Sequence, residues 1–302
     1  MLSARTSQSS QGLAAIAVAA TLFALAGAVA SNLFDAGVKP AELAQVRAAI
    51  TFAGLMLVPA ARRGRSRPLE ARLVLLHGTS IALVTVSYYI ALDHLAVAMA
   101  ITLQFTGPAL VVGWTAARAG RRPPARIVMC VSLAVVGAAL TSEIAPGRLG
   151  SLSLVGIAAG LGSAVLFAAM SILSEVSADV YGPLGAMLRA WGVAVALWML
   201  YGLAVEWPAR AFDLALLPQV LFVSIFGTLV SFLLYIWGIE RVRAERASIA
   251  LTLEPVVAAA VAWVWLSQNL SLVQLLGGLL VIGAVAALPG RAEADRSEPA
   301  PL

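Results

Sequence analysis

Charge is scarce in this chain: Asp, Glu, Lys and Arg make up 12% of its 302 residues, about half the share of an ordinary soluble domain. So few charges cannot clothe a water-facing surface around a sequence that is 61% hydrophobic, which excludes a soluble globular protein. Cysteine is nearly missing. Cys130 stands alone, excluding an internal disulfide and a cysteine-rich metal centre. Only two histidines occur, His77 and His94, with no His-Glu-x-x-His and no phosphate-binding glycine loop, so the usual marks of a metallohydrolase or a nucleotide-driven enzyme are missing. No catalytic residue, metal or cofactor is expected, and a non-enzymatic function follows.

What is present is apolar length. Mean hydropathy is +0.94, and the charges fall in short clusters separated by uncharged runs long enough to cross a hydrocarbon core of about 30 Å as helices. Ten spans are predicted, at 12–31, 42–60, 73–92, 95–117, 126–142, 153–174, 183–205, 214–239, 247–266 and 271–288. The last two share one apolar stretch, divided at the polar break Ser267-Gln268-Asn269. The charged, proline-containing tail RAEADRSEPAPL has the composition of a disordered segment.

Basic residues give the orientation. With the N-terminus inside, the cytoplasmic loops hold the clusters Arg62 to Arg72, Arg118 to Arg126 and Arg241 to Arg246, whereas the outer loops hold only Lys39, Arg148 and Arg210. That asymmetry predicts both termini in the cytoplasm of a cell's inner or plasma membrane. It also reads the basic pI near 10.0 as membrane orientation, with a lipid bilayer and no nucleic acid as partner. A second reading of the first segment exists: Arg5, an apolar run and Ala28-Val29-Ala30 before Ser31 also resemble a secretory signal and its cleavage site.

Sliding the sequence on itself by 147 residues brings Tyr88 onto Tyr235, Asp93 onto Glu240 and Pro108 onto Pro255. Spans three and four then correspond to eight and nine, so each half has five spans and the second must run through the membrane in the opposite sense. The predicted fold is an all-α integral membrane protein of ten transmembrane helices in two five-helix inverted repeats. Its divisions are a tail at 1–11, repeats at 12–142 and 153–288, a connecting loop at 143–152 and a cytoplasmic tail at 289–302. Inverted repeats place a binding site near the membrane midplane between the halves.

Three stretches carry a family likeness: AELAQVRAAITFAGLML (41–57), ALDHLAVAMAITLQFTGPAL (91–110) and RASIALTLEPVVAAAVAWVWLSQNLSLVQLLGGLLVIGAV (246–285). In these the chain resembles the ten-span, EamA-domain members of the drug/metabolite transporter superfamily. LQFTGPAL resembles the threonine/homoserine exporter branch, with Gln104 where that branch carries Glu, and Ser267-Gln268 replaces the family's Gly-Glu. The resemblance implies a secondary transporter moving a small polar metabolite by alternating access, with export of an amino acid or derivative expected and protons a candidate co-substrate. Uptake of a vitamin or nucleoside-like metabolite is the alternative within transport. An intramembrane enzyme built on Ser163 is the alternative outside it.

The candidate site residues are the polar exceptions in apolar runs. Glu254, about 12 Å along its helix from Arg246, stands directly before Pro255. A charge at a span's centre costs about 2.5–3.5 kcal/mol on insertion scales, so it faces protein or a water-filled cavity. It is expected either to meet a substrate ammonium or proton, or to cap a broken helix. Arg47 and Arg189, on narrow faces of the second and seventh spans, are anion-binding or gating candidates, or else snorkel to their own interfaces. Gln104 can bond a substrate or a neighbouring helix. Ser231 and Tyr235 belong to a stripe with Ser224 and Thr228, matched by His77 and Tyr88 in the third span; the stripe lines a pathway, or its hydroxyls bond their own backbone. Trp191 and Trp237 are cavity candidates, while Trp207 and Trp265 fit a headgroup belt.

Overall fold

A computed structural model describes residues 2–62, 70–95, 97–118, 120, 122–141, 153–239, 241–242, 250–251, 253–254, 256–257, 260 and 271–287. Among them there is no strand. Twelve α-helices follow in order: α1 (Leu2–Asp35), α2 (Pro40–Met56), α3 (Pro59–Arg62), α4 (Ala71–His94), α5 (Val97–Gln104), α6 (Gly107–Arg118), α7 (Ala125–Thr141), α8 (Leu154–Tyr181), α9 (Pro183–Ala204), α10 (Leu217–Ser224), α11 (Ser231–Ile239) and α12 (Leu272–Ala286). A π-helical turn, Ile225–Val230, joins α10 to α11.

Six segments are long and apolar enough to cross a membrane: Ser10–Asp35, Ala71–His94, Met99–Arg118, Leu154–Tyr181, Pro183–Ala204 and Leu217–Ile239. α2, α7 and the last helix are shorter. Much of the predicted ninth span, the break at 267–269 and both the connecting loop and the tail from 289 lie outside the described residues. The predicted fourth span is not one helix. It divides at Phe105 and Thr106, where the Thr106 hydroxyl bonds the Leu103 carbonyl and Pro108 has no N–H to continue the ladder. The sixth span runs past its predicted end to Tyr181 and stops at Gly182, whose φ of +74° suits glycine. Pro183 then opens α9, where a missing N–H leaves nothing unsatisfied. Ala30 lies within α1, fully buried.

The outer surface is apolar as well as the core, and polar groups are found inside. Leu76, Leu83, Val165, Leu200 and Leu279 are exposed, while Thr51, His77, Ser163, Thr228 and Glu254 are buried, as expected where lipid replaces water outside.

The helices pack in exchanged pairs. α4 lies along α8, and α1 along α11; α2 crosses α9, and α7 packs on α12. The ends of the first two pairs match in detail. A methyl group on Gly12 of α1 would fall 2.8 Å from Cβ of Arg241, just beyond α11, and one on Gly156 of α8 would fall 2.9 Å from Cβ of His94 at the end of α4. His94 and Arg241 are themselves 147 residues apart. The halves are also tied by hydrogen bonds at one end of α2. Glu42, 4% exposed, accepts from the backbone N–H groups of Lys39 at 2.9 Å and Arg210 at 3.1 Å. Lys39 pairs with Glu206, and Gln45 donates to the Glu206 carbonyl at 3.2 Å.

Candidate functional site

A cavity of about 100 Å³ opens where α1, α2, α4, α5, α8, α10, the π turn, α11 and the helical residues around Glu254 converge. Elements from before and after the connecting loop both wall it. Four candidate residues meet there: Arg47, Tyr88, Gln104 and Glu254. Each has a local reason for its position. Arg47 stands one turn from Ala44 and Thr51, both buried, and these small residues let α2 come close enough to present a long side chain. Gln104 is the last residue of α5, immediately before the break. Tyr88 reaches Gly27 of α1, where a methyl group would fall 3.4 Å from the Tyr88 hydroxyl.

The two charged groups lack counter-charges. The Arg47 guanidinium donates to the Tyr89 hydroxyl at 3.1 Å. It also stands over two aromatic rings, 5.5 Å from that of Tyr89 and 5.9 Å from that of Trp191. Its Nε is buried without a hydrogen-bond partner, as are the Tyr88 hydroxyl and the Trp191 indole nitrogen. Glu254 is 8% exposed, and among the described residues no hydrogen bond or ion pair meets its carboxylate. A buried charge left unpaired is expensive, and both groups face one cavity.

The other candidates lie elsewhere. Trp191 does not line the cavity; it is 2% exposed and stands behind it, its ring 5.6 Å from that of Phe232 and edge-on. Arg189 lies well away, bonding the Gly185 carbonyl at 3.0 Å with its guanidinium 4.4 Å from the Tyr181 ring centre; a helix-end carbonyl and an aromatic face account for it. Ser231 is fully buried, its hydroxyl held by the Phe226 carbonyl at 2.7 Å. Ser224 and Thr228 likewise bond Val220 and Val223 carbonyls, so these three hydroxyls serve the helix around the π turn. Tyr235 packs with Ile16, Ile101 and Leu251 in a cluster beside the cavity. Trp237 is exposed beneath the Arg241 guanidinium.

His77 does not join Tyr88 along a pathway. It is buried, with Nε2 2.8 Å from the Ser174 hydroxyl, pinning α4 to α8. Ser163, the imagined nucleophile, is fully buried with its hydroxyl on the Gly160 carbonyl at 2.7 Å. Among the described residues, no cluster of His, Cys, Asp and Glu is placed to hold a metal ion.

The rest of the lining is apolar and aromatic: Phe23, Phe105, Phe167, Met170 and Phe232 stand around the polar groups, with Tyr89 and Thr85 from α4. Sequence reasoning did not single out any of these. Tyr89 had a signal, as the neighbour of a repeated tyrosine; the phenylalanines had none, because an apolar residue in an apolar run is unremarked.

A model described as the EamA-like transporter family matches residues 10–143 and, a second time, 154–288. Among curated proteins, the chain is 25% identical over 287 residues to the uncharacterized inner membrane transporter YicL of Salmonella typhimurium, covering 91% of this chain and 94% of the relative. It is 26% identical over 211 residues to an uncharacterized transporter of Archaeoglobus fulgidus, covering 67% and 71%. A solved crystal structure superimposes with a TM-score of 0.70 at 22% identity, covering 93% of this chain and 96% of that one, a likeness of fold.

Proposed function

Because the chain belongs to the EamA-like transporter family, we propose that it is a secondary carrier of the inner or plasma membrane. It moves a small polar metabolite by alternating access, most simply exporting an amino acid or derivative. The observation that carries this reading is the cavity between the halves, with a cation and a carboxylate facing it and neither paired. A zwitterion brings both missing partners at once.

Two further features support an inverted repeat of ten spans as the frame. The family model matches twice in tandem. The helix pairs α1–α11 and α8–α4 also exchange under the repeat, with matching approaches at Gly12 and Gly156. In such a frame the two halves swap conformations around a central site. Arg47, Tyr88, Gln104 and Glu254 are the residues assigned to substrate, with Trp191 behind them.

Counterflow in proteoliposomes tests the reading, since exchange requires binding and reorientation without net proton movement. Vesicles loaded with an unlabelled amino-acid mixture should accumulate labelled amino acid above protein-free vesicles; failure with every amino acid overturns the substrate class. Glu254→Gln keeps the shape and removes the charge. Normal counterflow with lost uphill transport makes Glu254 a proton site, loss of both makes it a substrate ligand, and retention of both leaves it a role in the fold alone.

A further inference from the structure

Arg47 and Glu254 face the same cavity, yet their chemistry makes them unequal. A carboxylate in apolar surroundings can shed its charge by taking up a proton. A guanidinium keeps its charge at every accessible pH. An unoccupied cavity therefore has a remedy for Glu254 and none for Arg47. The surroundings of Arg47 deepen the difference. Its only hydrogen-bond partner among the described residues is the Tyr89 hydroxyl, its Nε is unused, and the nearby Tyr88 hydroxyl and Trp191 indole N–H are unused as well. Each of these idle atoms can donate. Charge-assisted bonds to a carboxylate are the strongest that such donors make.

We infer that a carboxylate is the obligatory feature of the carried molecule, docked on Arg47 and Tyr88, whereas its ammonium is dispensable because a proton on Glu254 can replace it. This rests on the carrier reading of the same cavity. Phe23, Phe105, Phe167, Met170 and Phe232 line the same cavity, so the body of the molecule is compact and apolar. The class is a monocarboxylate, of which α-amino acids with apolar side chains are one form and their deaminated equivalents another. Trp191 is a positioning residue: its ring and that of Tyr89 hold the guanidinium.

The ionisable groups lining the cavity are Arg47 from α2, Tyr88 and Tyr89 from α4, and Glu254; α5 gives the uncharged Gln104, and α1, α8, α10, the π turn and α11 give none among the described lining residues. Of these, Glu254 alone becomes neutral by taking up a proton, so binding is followed between pH 5.5 and 8.5.

Four probes that share one apolar body separate the two ends: L-leucine, L-leucinamide, 4-methylpentanoate and 3-methylbutylamine. Binding to the purified protein is measured by equilibrium dialysis across that pH range. Leucine should bind throughout; 4-methylpentanoate should bind and tighten several-fold as pH falls; the amide and the amine should bind at least tenfold more weakly than leucine. Glu254→Gln, fixed in the uncharged form, should make 4-methylpentanoate binding independent of pH, a readout that a merely structural glutamate would not move. Arg47→Gln should lose both carboxylates, and Arg47→Lys should retain part of the affinity in a protein of normal melting temperature. Trp191→Phe, which keeps a ring behind the guanidinium, should weaken carboxylate binding less than Arg47→Gln does. Equal binding of leucine and leucinamide, absence of carboxylate binding at every pH, or intact binding in Arg47→Gln overturns the inference. If some other metabolite still shows counterflow in that case, the carrier reading stands without it; absence of counterflow with any metabolite removes the carrier reading itself.

Discussion

Gly78 marks the point at which α4 meets α9. A methyl group there would fall on Cβ of Val193 and on the Ala190 carbonyl, and a carbonyl of the helix backbone has little freedom to yield. Gly78→Ala should therefore push the helices apart and destabilise the fold by about 1–3 kcal/mol, the usual range for overpacking, read as a lowered midpoint in detergent unfolding. Nothing in the local sequence announces that contact, because it depends on a residue more than a hundred positions away. Arg47 and Glu254 were legible for the opposite reason: a charge inside an apolar run is costly wherever the chain folds, and the signal is local. Arg189 carried the same signal and lies elsewhere, its cation resting on the Tyr181 ring. Sequence shows that such a charge must be accommodated and leaves open by what.

At the scale of an element, the start of α2 is set by Pro40 and by Glu42 at its third position, which accepts from the Lys39 backbone N–H. The same carboxylate reaches across to the Arg210 N–H, so one side chain both caps a helix and joins the halves. Glu42→Ala should lower stability by about 1–3 kcal/mol through donors left unpaired. Glu42→Gln should lose less, since its remaining oxygen still serves one of them. Comparative thermal unfolding of the two variants checks the order. Lys39 strengthens the same junction, and its amine is raised above the usual lysine value by the hydrogen bond to Glu206 and then by that carboxylate's charge. Its contribution is complete below pH 10.5 and fades as pH climbs through the raised value, so the junction should be indifferent to pH across the neutral range. Apolar length located the long helices well. It did not separate α5 from α6, although Thr106-Gly107-Pro108 is a recognisable breaker, because hydropathy averages across such a signal. It also could not tell a hydroxyl serving its own backbone from one lining a path, and Ser231 proved to be the former.

For the whole molecule, the ten-span frame makes a topological prediction. Reporters fused after Ala61 and after residue 288 should both report cytoplasm, and one within 206–213 should report the outer side; an outer signal at 288 would break the frame. The aromatic wall of the cavity was the least legible feature at this scale, since Phe23, Phe167 and Phe232 come from three distant helices and become a lining only when those helices converge. The π turn at Ile225–Val230 sets which side of α11 meets α1. Such a turn holds one residue more than the α-helical turn it replaces. Without that residue every later side chain would be turned by about 100°, and Tyr235 and Gly238 would leave their contacts with α1. The seam between these two helices therefore hangs on one widened turn.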